Sequence, residues 1–540
     1  MDKLAVRSVF EHIAAFLELQ GENGSRVRLY QNAARAGVRA DAPPEVQEVM
    51  RELVATGRST TLDELREQVP PGLVEMLRIS GLGVAKVRQI HERLHIESLA
   101  ELEDAAVDGR LATLPHFGRK TAENVRKGIA ALRQASAFRL LHHALDEAQG
   151  IAQALAALEG VRRVEIAGSV RRRREIIRDL DFVVVHAGDG TRDALIKRLD
   201  DAPGVIELAG KEGVVTLRFA SGALVDVFLC TEADAGLTLV RATGSADHVA
   251  QLEARLAGGD GPWGGGDEES VYRAAGLPWI PPELREGMDE IEAAAAGRLP
   301  RLLEQADLKG FLHCHTNYSD GTTTVAEWSD ACRAAGYEWI GITDHSQSSA
   351  YAGGLRAEDV TRQHAEIDAE NRRRSDIRVL KGVEADILAD GSLDYGPAVL
   401  DRFDFVIASI HTRFGMTEIE MTERVLRALD DPHTTILGHP TGRLLLAREP
   451  YAIDLERVLL RAAERGVAVE VNADPHRLDL DWRMVRRARE LGVSISLGAD
   501  AHSVAGMTNV AMGVGIARKG WLGAEDVLNT RDAEGFLAFA

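Results

Sequence analysis

Two histidines stand one residue apart in FLHCHTNYSDG (residues 311–321), and an aspartate follows them. The histidines are His313 and His315, and the aspartate is Asp320. The same spacing recurs at Asp500 and His502 in LGADAH. Residues two apart in a β-strand point to the same face, so each pair would converge on one point. Such pairs are typical of a metal site or an acid/base pair, although a surface loop is the simpler alternative.

Further apolar runs in the C-terminal part also carry a histidine or a carboxylate at or near their ends. One such residue alone is more often a hydrogen-bonded structural group, but six strands of this kind favour a shared site. Mixed imidazole and carboxylate ligands predict two or three ions of Mn²⁺ or Zn²⁺, and a cluster of that kind hydrolyses phosphate esters. The nine predicted ligands are His313, His315, Asp320, His345, Glu384, His411, His439, Asp500 and His502.

A second group of carboxylates lies in the middle of the chain. Asp179 and Asp181 are two residues apart at the start of a β-type run, and Asp226 lies in another such run. Three carboxylates on one sheet face are the minimum for two Mg²⁺ ions and a phosphoryl transfer. The preceding segment, IAGSVRRRREIIRDLDFVVV, offers a phosphate cradle, unless it is only an exposed arginine-rich helix before an edge strand. The predicted phosphate contacts are Gly168, Ser169, Arg171 and Arg172.

The elements that must position these groups differ along the chain. From about residue 308, β-type runs alternate with helical stretches, which predicts parallel strands in a closed or nearly closed barrel. The mouth of such a barrel gathers the carboxyl ends of its strands, where the nine ligands lie. Residues 138 to about 230 predict a helix over roughly 139–158 and a small, mostly antiparallel sheet. Residues 1 to about 135 are predicted to be almost entirely helical.

The helical part contains two similar glycine turns, LRISGLGVAKVRQI (77–90) and LATLPHFGRKTAENV (111–125). A glycine turn brings backbone N–H groups at the next helix start close to a phosphate. Both stretches resemble the helix-hairpin-helix motif, which holds the nucleic-acid backbone without reading its sequence. Ordinary helical hairpins with glycine caps are the alternative. The predicted DNA contacts are Gly81, Gly83, Lys86, Gly118 and Lys120.

Length and composition limit the class of protein. A chain of 540 residues with 45 % apolar residues predicts two to four folded domains. Three cysteines without CxxC spacing favour a reducing compartment, and the sequence offers neither a signal peptide nor a long apolar run, so we expect a cytoplasmic protein with no membrane partner. The net charge of −20 lowers the expectation of nucleic-acid binding without excluding a local basic patch.

The C-terminal motifs HCHTNYSDG, ITDHS, GVEADI, SIH, GHP and GADAH resemble the PHP (polymerase and histidinol phosphatase) domain, in order. This resemblance covers about 230 residues. It implies a distorted (βα)7 barrel, a trinuclear metal site and phosphoesterase activity. Arg413 and Arg443 are candidate phosphate contacts within it.

The middle pattern GS…RR…E…DxD with a later aspartate resembles the nucleotidyltransferase palm of family X DNA polymerases. The whole domain order is similar to the bacterial members of that family. The resemblance implies a helical DNA-binding region (1–137), a palm with a reduced thumb (138–300) and a PHP domain (301–540). It also implies that Gly244 and Ser245 bind nucleotide, and that the partners are dNTPs and gapped, nicked or 3′-ended DNA, bound by a monomer.

Several positions depart from the family pattern. Arg178 stands where the family has glycine, Phe228 where it has arginine, and Val249 where it has asparagine. The glycine-rich AGGDGPWGGG (257–266) replaces the thumb segment. These departures predict a weakened or absent polymerase activity.

The sequence therefore predicts a DNA repair enzyme. Its barrel would be a metal-dependent 3′–5′ exonuclease, and its palm a DNA polymerase with weakened or absent activity. A small-molecule phosphatase is the first alternative, because PHP barrels also do that work. A non-catalytic DNA-binding protein is the second, but it leaves the barrel ligands without a purpose.

Overall fold

A computed structural model describes residues 3–540 apart from 23, 37–41, 57–58, 78, 80, 116, 137, 212, 220–221, 259–262 and 264. The chain divides into two compact units, Met1–Ala137 and Phe138–Ala540. Part of the glycine-rich segment 257–266 lies outside the described residues. No helix within the described part of the chain is both long and apolar enough to cross a membrane.

The first unit is helical, as its amphipathic periodicity predicts. Its core is formed by apolar side chains such as Phe10, Ile13, Val87 and Ile129, which are fully buried. The helices are α1 (Lys3–Leu19), α2 (Gly24–Ala36), α3 (Pro44–Thr56), α4 (Thr60–Gln68), α5 (Pro71–Met76), α6 (Val84–Leu94), α7 (Leu99–Val107) and α8 (Arg119–Ser136).

The two glycine turns of this unit form the same local structure. Val87 N–H donates to the Gly83 carbonyl at 3.1 Å, and Ala122 N–H donates to the Gly118 carbonyl at 3.1 Å. Each glycine thus starts the first turn of the helix that follows, α6 or α8. In this alignment Lys86 corresponds to Thr121, so the two predicted lysines do not occupy equivalent positions.

The second unit begins with an α+β region whose helix α9 lies close to its predicted place. The main sheet has the order β2-β4-β7-β6-β5. Its pairs are antiparallel except for β4 and β7, which are parallel, so the prediction of a mostly antiparallel sheet is confirmed. The elements are β1 (Arg139–Leu140), α9 (Leu141–Ala156), β2 (Val161–Ile166), α10 (Gly168–Arg171), β3 (Ile176–Ile177), β4 (Asp179–His186), α11 (Asp189–Asp200), β5 (Val205–Lys211), β6 (Val214–Phe219), β7 (Leu224–Cys230), α12 (Ala235–Thr243), α13 (Ala246–Ala257), α14 (Glu268–Ala274) and α15 (Glu290–Ala295).

The rest of this unit is a closed barrel of seven parallel strands, in the order β10-β11-β12-β13-β14-β8-β9. Its strands are buried on both faces, which explains their nearly continuous apolar sequences. The (βα)7 prediction is confirmed. The elements are β8 (Gly310–Cys314), α16 (Val325–Ala334), β9 (Trp339–Ile342), α17 (Ala357–Arg373), β10 (Arg378–Asp386), α18 (Pro397–Leu400), β11 (Phe405–Ser409), α19 (Glu418–Asp430), β12 (Ile436–Leu437), α20 (Leu455–Arg465), β13 (Ala468–Asn472), α21 (Trp482–Glu490), β14 (Ile495–Ala501), α22 (Val510–Lys519) and α23 (Ala533–Leu537).

The α+β region and the barrel are joined by buried charge pairs. Lys519, at the end of α22, has no exposed side-chain surface and forms an ion pair with Glu286. Its ammonium group also donates to the Arg172 carbonyl at 3.1 Å and to the Glu283 carbonyl at 3.3 Å. These bonds fix the arginine-rich segment against the barrel.

Candidate functional site

The structure brings the nine predicted barrel ligands into one connected cluster. Ligand atoms lie within 4.8 Å of one another in each of three overlapping groups, which share His315 and His345. The ninth residue, His439, lies beside Glu384, with 2.9 Å between Nε2 and Oε1. The groups are His315, Asp320, His345 and His502; His313, His315 and Asp500; and His345, Glu384 and His411.

Glu384 is the centre of this cluster. Its Oε1 lies 3.4 Å from His313 Nε2 and 3.2 Å from His411 Nε2. Its Oε2 lies 2.9 Å from His345 Nδ1. The carboxylate is almost completely buried, so it sits among imidazoles and away from bulk water.

Left-handed backbone, rather than strand alternation alone, aims the ligands. His313 has φ +58° and Asp500 has φ +49°, and the pairing between β14 and β8 shifts register between Gly498 and Ala501. β8 ends at Cys314, so His315 lies just beyond the strand. The predicted condition of a strand through both histidines is not met, yet their rings do lie together, with centroids 5.4 Å apart. Such backbone is sparsely populated for non-glycine residues and is concentrated at functional sites.

Buried carboxylates that the sequence analysis missed hold the ligands in place. Glu470 in β13 accepts a hydrogen bond from His313 Nδ1 and another from the His439 backbone N–H at 2.7 Å. Asp386 accepts one from His411 Nδ1 at 2.5 Å. A partner on the far nitrogen fixes the tautomer and direction of a ligand histidine. Asp386 lies two residues after Glu384, and that spacing was the available signal for it.

The loop that carries Asp320 has its own buried support. Asp344, one residue before His345, accepts hydrogen bonds from Thr316 N at 2.8 Å and from Ser319 Oγ at 2.5 Å. Gln363 in α17 donates to the same carboxylate at 2.5 Å. The TDH segment of the sequence thus supplies both a predicted ligand and the group that orients another one.

Several buried polar atoms of the cluster have no hydrogen-bond partner within the described residues. Interior polar atoms are normally paired, because an unpaired one costs about 1–3 kcal/mol. Cations among these atoms would satisfy them, so the donor set fits a metal site of several ions. The atoms are His313 Nε2, both ring nitrogens of His315 and His439 Nδ1, whereas His345 Nδ1 and Glu384 Oε2 face each other at 2.9 Å without hydrogen-bond geometry.

The charges of the cluster also favour cations. Burial, aided by His502 and His345, lowers the pKa of His315 to about 4, so its ring is neutral near pH 7 with a free lone pair. Burial opposes the charge of His411, but Glu384 and Asp386 outweigh it and raise the pKa of His411 to about 10. The carboxylates thus hold protons on neighbouring rings at positions where a metal ion would replace them.

An arginine missed by the sequence analysis lies against the cluster. Arg477, five residues beyond β13, places Nε 3.3 Å from Asp500 Oδ2, and its side chain is 19 % exposed. Asp500 is the ion-pair partner that the described residues supply to this guanidinium, and Asp474, Asp479 and Glu384 interact with it electrostatically at longer range. Arg443 instead donates to the Arg477 and Leu478 carbonyls, so it supports the loop of Arg477, while Arg413 is exposed.

The three palm carboxylates lie on the parallel pair β4 and β7. Asp181 is directly opposite Asp226, and Asp179 precedes it by two residues. Burial, together with Asp179 and Asp226, raises the pKa of Asp181 to about 7. Thr216 Oγ1 donates to Asp226 Oδ1 at 2.6 Å. Three adjacent carboxylates with few positive charges or hydrogen-bond donors near them can attract a cation.

The start of α10 closes over Asp181. Gly168 has φ +61°, and a Cβ there would lie 1.7 Å from Asp181 Oδ2, so only glycine fits. Ser169 Oγ is buried and has no hydrogen-bond partner within the described residues, which leaves it available to a ligand. The phosphate cradle predicted at these two residues therefore lies beside the carboxylates.

The other predicted nucleotide contacts are already engaged. Arg171 forms an ion pair with Glu268 at 2.7 Å, and Arg172 forms one with Glu286 at 2.9 Å. Ser245 caps α13 by accepting the His248 N–H at 3.1 Å, directly after Gly244. Their nucleotide-binding role stays a prediction. Among the departures from the family pattern, Phe228 packs in a small apolar cluster, Val249 is partly buried and Arg178 is exposed.

The predicted DNA contacts of the helical unit lie at its two turns. Nothing in the described structure lies within 4 Å of a Cβ built at Gly81, Gly83 or Gly118, so the backbone there is open to close approach. Lys86 folds back, with Nζ donating to the Gly81 carbonyl at 2.8 Å, whereas Lys120 is exposed.

Comparison with known proteins agrees with this architecture. The PHP domain family matches residues 312–474, and the SAM-like helix-hairpin-helix tandem family matches residues 73–131. The DNA polymerase/3′-5′ exonuclease PolX of Bacillus subtilis (strain 168) is 35 % identical, over 99 % of each chain. The chain belongs to the PolX family.

Two further relatives of this PolX-family chain match about a third of its length. A probable phosphatase of Acetivibrio thermocellus is 33 % identical over 30 % of this chain and 63 % of its own length. A probable phosphatase of Clostridium acetobutylicum is 31 % identical, with the same shares covered.

Proposed function

We propose that this PolX-family chain is a DNA repair enzyme that trims and extends DNA 3′ ends. The barrel would act as a metal-dependent 3′–5′ exonuclease, and the palm as a DNA polymerase. The observation that carries the exonuclease is the nine-residue cluster with its unpartnered imidazole nitrogens. The full-length relationship to PolX of B. subtilis supports both activities.

The nine residues would hold two or three ions of Mn²⁺ or Zn²⁺, because imidazole and carboxylate ligands suit these metals. Bound ions of this kind lower the pKa of water and stabilise charge on phosphate oxygens. The chain itself does the positioning. Glu470 and Asp386 fix the ring directions of His313 and His411, and Asp344 fixes the loop that carries Asp320.

Arg477 would bind the phosphodiester of the substrate. Its Nε is held by Asp500, and the rest of its guanidinium is left without a protein acceptor within the described residues. A guanidinium fork matches two phosphate oxygens, and a partly buried site strengthens the interaction. It would thereby orient phosphorus towards the cluster and offset charge that develops on the oxygens.

In the palm, Asp179, Asp181 and Asp226 would hold Mg²⁺ ions that bind an incoming dNTP. Gly168 and Ser169 would contact its phosphates. Arg171 and Arg172 have carboxylate partners already, so they offer less charge to a triphosphate than unpaired arginines would. Together with Arg178, Phe228 and Val249, this pairing supports a weak polymerase.

The helix-hairpin-helix turns would bind the DNA backbone through N–H groups after Gly83 and Gly118, with Lys120 adding charge. We expect a monomer that binds gapped or 3′-ended DNA. Its affinity should fall steeply as salt rises, because phosphate contacts release counterions.

One experiment tests the two activities together. The protein is incubated with gapped DNA carrying a 5′-labelled primer, with Mn²⁺ or Mg²⁺, and with or without dNTPs. We expect shortening with Mn²⁺ and slow extension with dNTPs. Asp500→Ala should stop the shortening, and Asp179→Ala should stop the extension. No shortening by the wild type in either metal would contradict the exonuclease, and rapid gap filling would contradict the weak polymerase.

A small-molecule phosphatase is the second candidate, because the relatives that match part of the chain are named probable phosphatases. The helix-hairpin-helix match counts against it, since a phosphatase needs no grip on DNA. Release of inorganic phosphate from sugar phosphates, without release of nucleotides from DNA, would favour this candidate.

A further inference from the structure

An aromatic side chain stands exposed beside the barrel cluster. Tyr351 is 69 % exposed, yet its ring centroid lies 6.3 Å from that of His345 and 6.5 Å from that of His411. Most large apolar rings of the barrel are buried. An exposed ring at this distance is accessible to a substrate that binds at the cluster.

The loop of Tyr351 is held in place by the same support as the cluster. Ser348 Oγ donates to Asp386 Oδ2 at 2.8 Å, and Ser349 Oγ donates to Asp386 Oδ1 at 3.0 Å. Asp386 is also the partner of His411. The ring and the ligand histidine therefore have their positions set by one buried carboxylate.

The C-terminal end of the same loop is also held by hydrogen bonds. Leu355 N–H donates to the His345 carbonyl at 2.9 Å, and Gly354 N–H donates to the Ser349 carbonyl at 3.1 Å. A Cβ at Gly354 would lie 1.9 Å from the Ser346 carbonyl oxygen, so the backbone is tightly folded there. An exposed ring on such a loop loses little conformational entropy when a flat partner stacks on it.

We propose that Tyr351 stacks on the base of the DNA 3′-terminal nucleotide while its phosphodiester lies at the cluster. The proposal rests on the exonuclease function proposed above and names what the site recognises beyond a phosphate. Every base has a π-face, so a stacking platform favours nucleotides without selecting a sequence. A small phosphate monoester lacks this partner.

The test compares two single strands that differ at the 3′ end, one with an ordinary terminal nucleotide and one with a base-free tetrahydrofuran residue. The wild type should have the higher kcat/KM on the base-bearing end, by about 10-fold. In Tyr351→Ala this ratio should approach 1. In Tyr351→Phe, which keeps the ring and lacks the hydroxyl, it should persist. A ratio that is unchanged in Tyr351→Ala, or lost in Tyr351→Phe, overturns the proposal.

A second measurement needs no hydrolysis. DNA with 2-aminopurine at its 3′ end, joined by a hydrolysis-resistant phosphorothioate linkage, is bound to the metal-loaded protein, and the fluorescence is read. Stacking should quench the emission with the wild type and with Tyr351→Phe, but much less with Tyr351→Ala. Equal quenching in all three overturns the stacking. If the wild type releases no nucleotide from either strand, the exonuclease fails, and the quenching still decides the role of Tyr351.

Discussion

The barrel and the palm solve the problem of gathering cation ligands in opposite ways. In the barrel, ligands come from many strand ends, and Glu470, Asp386 and Asp344 hold them from behind. In the palm, the three aspartates lie on two paired strands, where Thr216 donates to one of them. The barrel ligands are mostly buried imidazoles, whereas the palm relies on carboxylates alone.

This difference implies different degrees of preorganisation. The barrel cluster is held together by its own ion pairs, and its backbone is already in the sparsely populated conformation that the ligands need. Burial first, and then repulsion from Asp179 and Asp226, raise the pKa of Asp181, so the ionised palm carboxylates oppose one another. We therefore expect the palm carboxylates to depend on a bound cation for their order more than the barrel cluster does.

The largest expected effect is in the barrel. His315→Ala together with Asp500→Ala should lower exonuclease activity by roughly 10³-fold and lower the metal content, because His315 and Asp500 share one ligand group. The measurements are release of label from a 3′-labelled strand and elemental analysis. Digestion at the wild-type rate would show that the exonuclease site is not in the barrel.

The palm should respond independently. Asp179→Ala and Asp181→Ala should each remove primer extension while nuclease activity stays within about two-fold of the wild type, because distant sites act additively. Both activities are measured on the same gapped substrate. Loss of the nuclease in these variants would mean that the two regions do not work separately.

The supports behind the barrel ligands offer a subtler test. Glu470→Gln keeps the shape of the side chain but weakens its bond to His313, so metal affinity should fall about 10- to 100-fold. The exposed Glu338→Gln provides a control with the same charge change. Metal titration of the chelated protein gives both affinities, and equal values for the two variants would show that the support contributes nothing.

The last effect concerns the stability of the metal-free palm and no activity. The pKa of Asp181 is higher in the folded chain than the usual 3.8, so folding favours its protonated form. The stability that this provides is present below about pH 4 and is lost as the pH rises to about 7. Asp181→Asn should therefore raise the free energy of unfolding at pH 8 by about 4 kcal/mol and change it little at pH 4. Calorimetric melting at the two pH values measures this, and a gain of the same size at both would exclude the carboxylate as its cause.

The sequence predicted the barrel and the clustering of the predicted ligands because most of them lie near the end of an apolar run. It did not predict Glu470 or Arg477, because a glutamate inside a strand and an arginine in a turn look like ordinary surface residues. It also missed the left-handed backbone at His313 and Asp500, since a two-residue period describes only regular strands. The partners of Arg171 and Arg172, 97 and 114 residues away, are set by tertiary packing alone.

Lys519 ties the palm to the barrel whatever the strength of its polymerase activity. Burial, opposed by Glu286, lowers the pKa of this lysine to about 8, and its contacts come from the Arg172 and Glu283 carbonyls and Glu286. Without the α+β region, the buried ammonium group of Lys519 would lose all three of these contacts. Point changes that erode nucleotide addition leave these contacts intact, whereas deletion removes them. The palm would thus remain a structural support of the barrel even in a variant that no longer adds nucleotides.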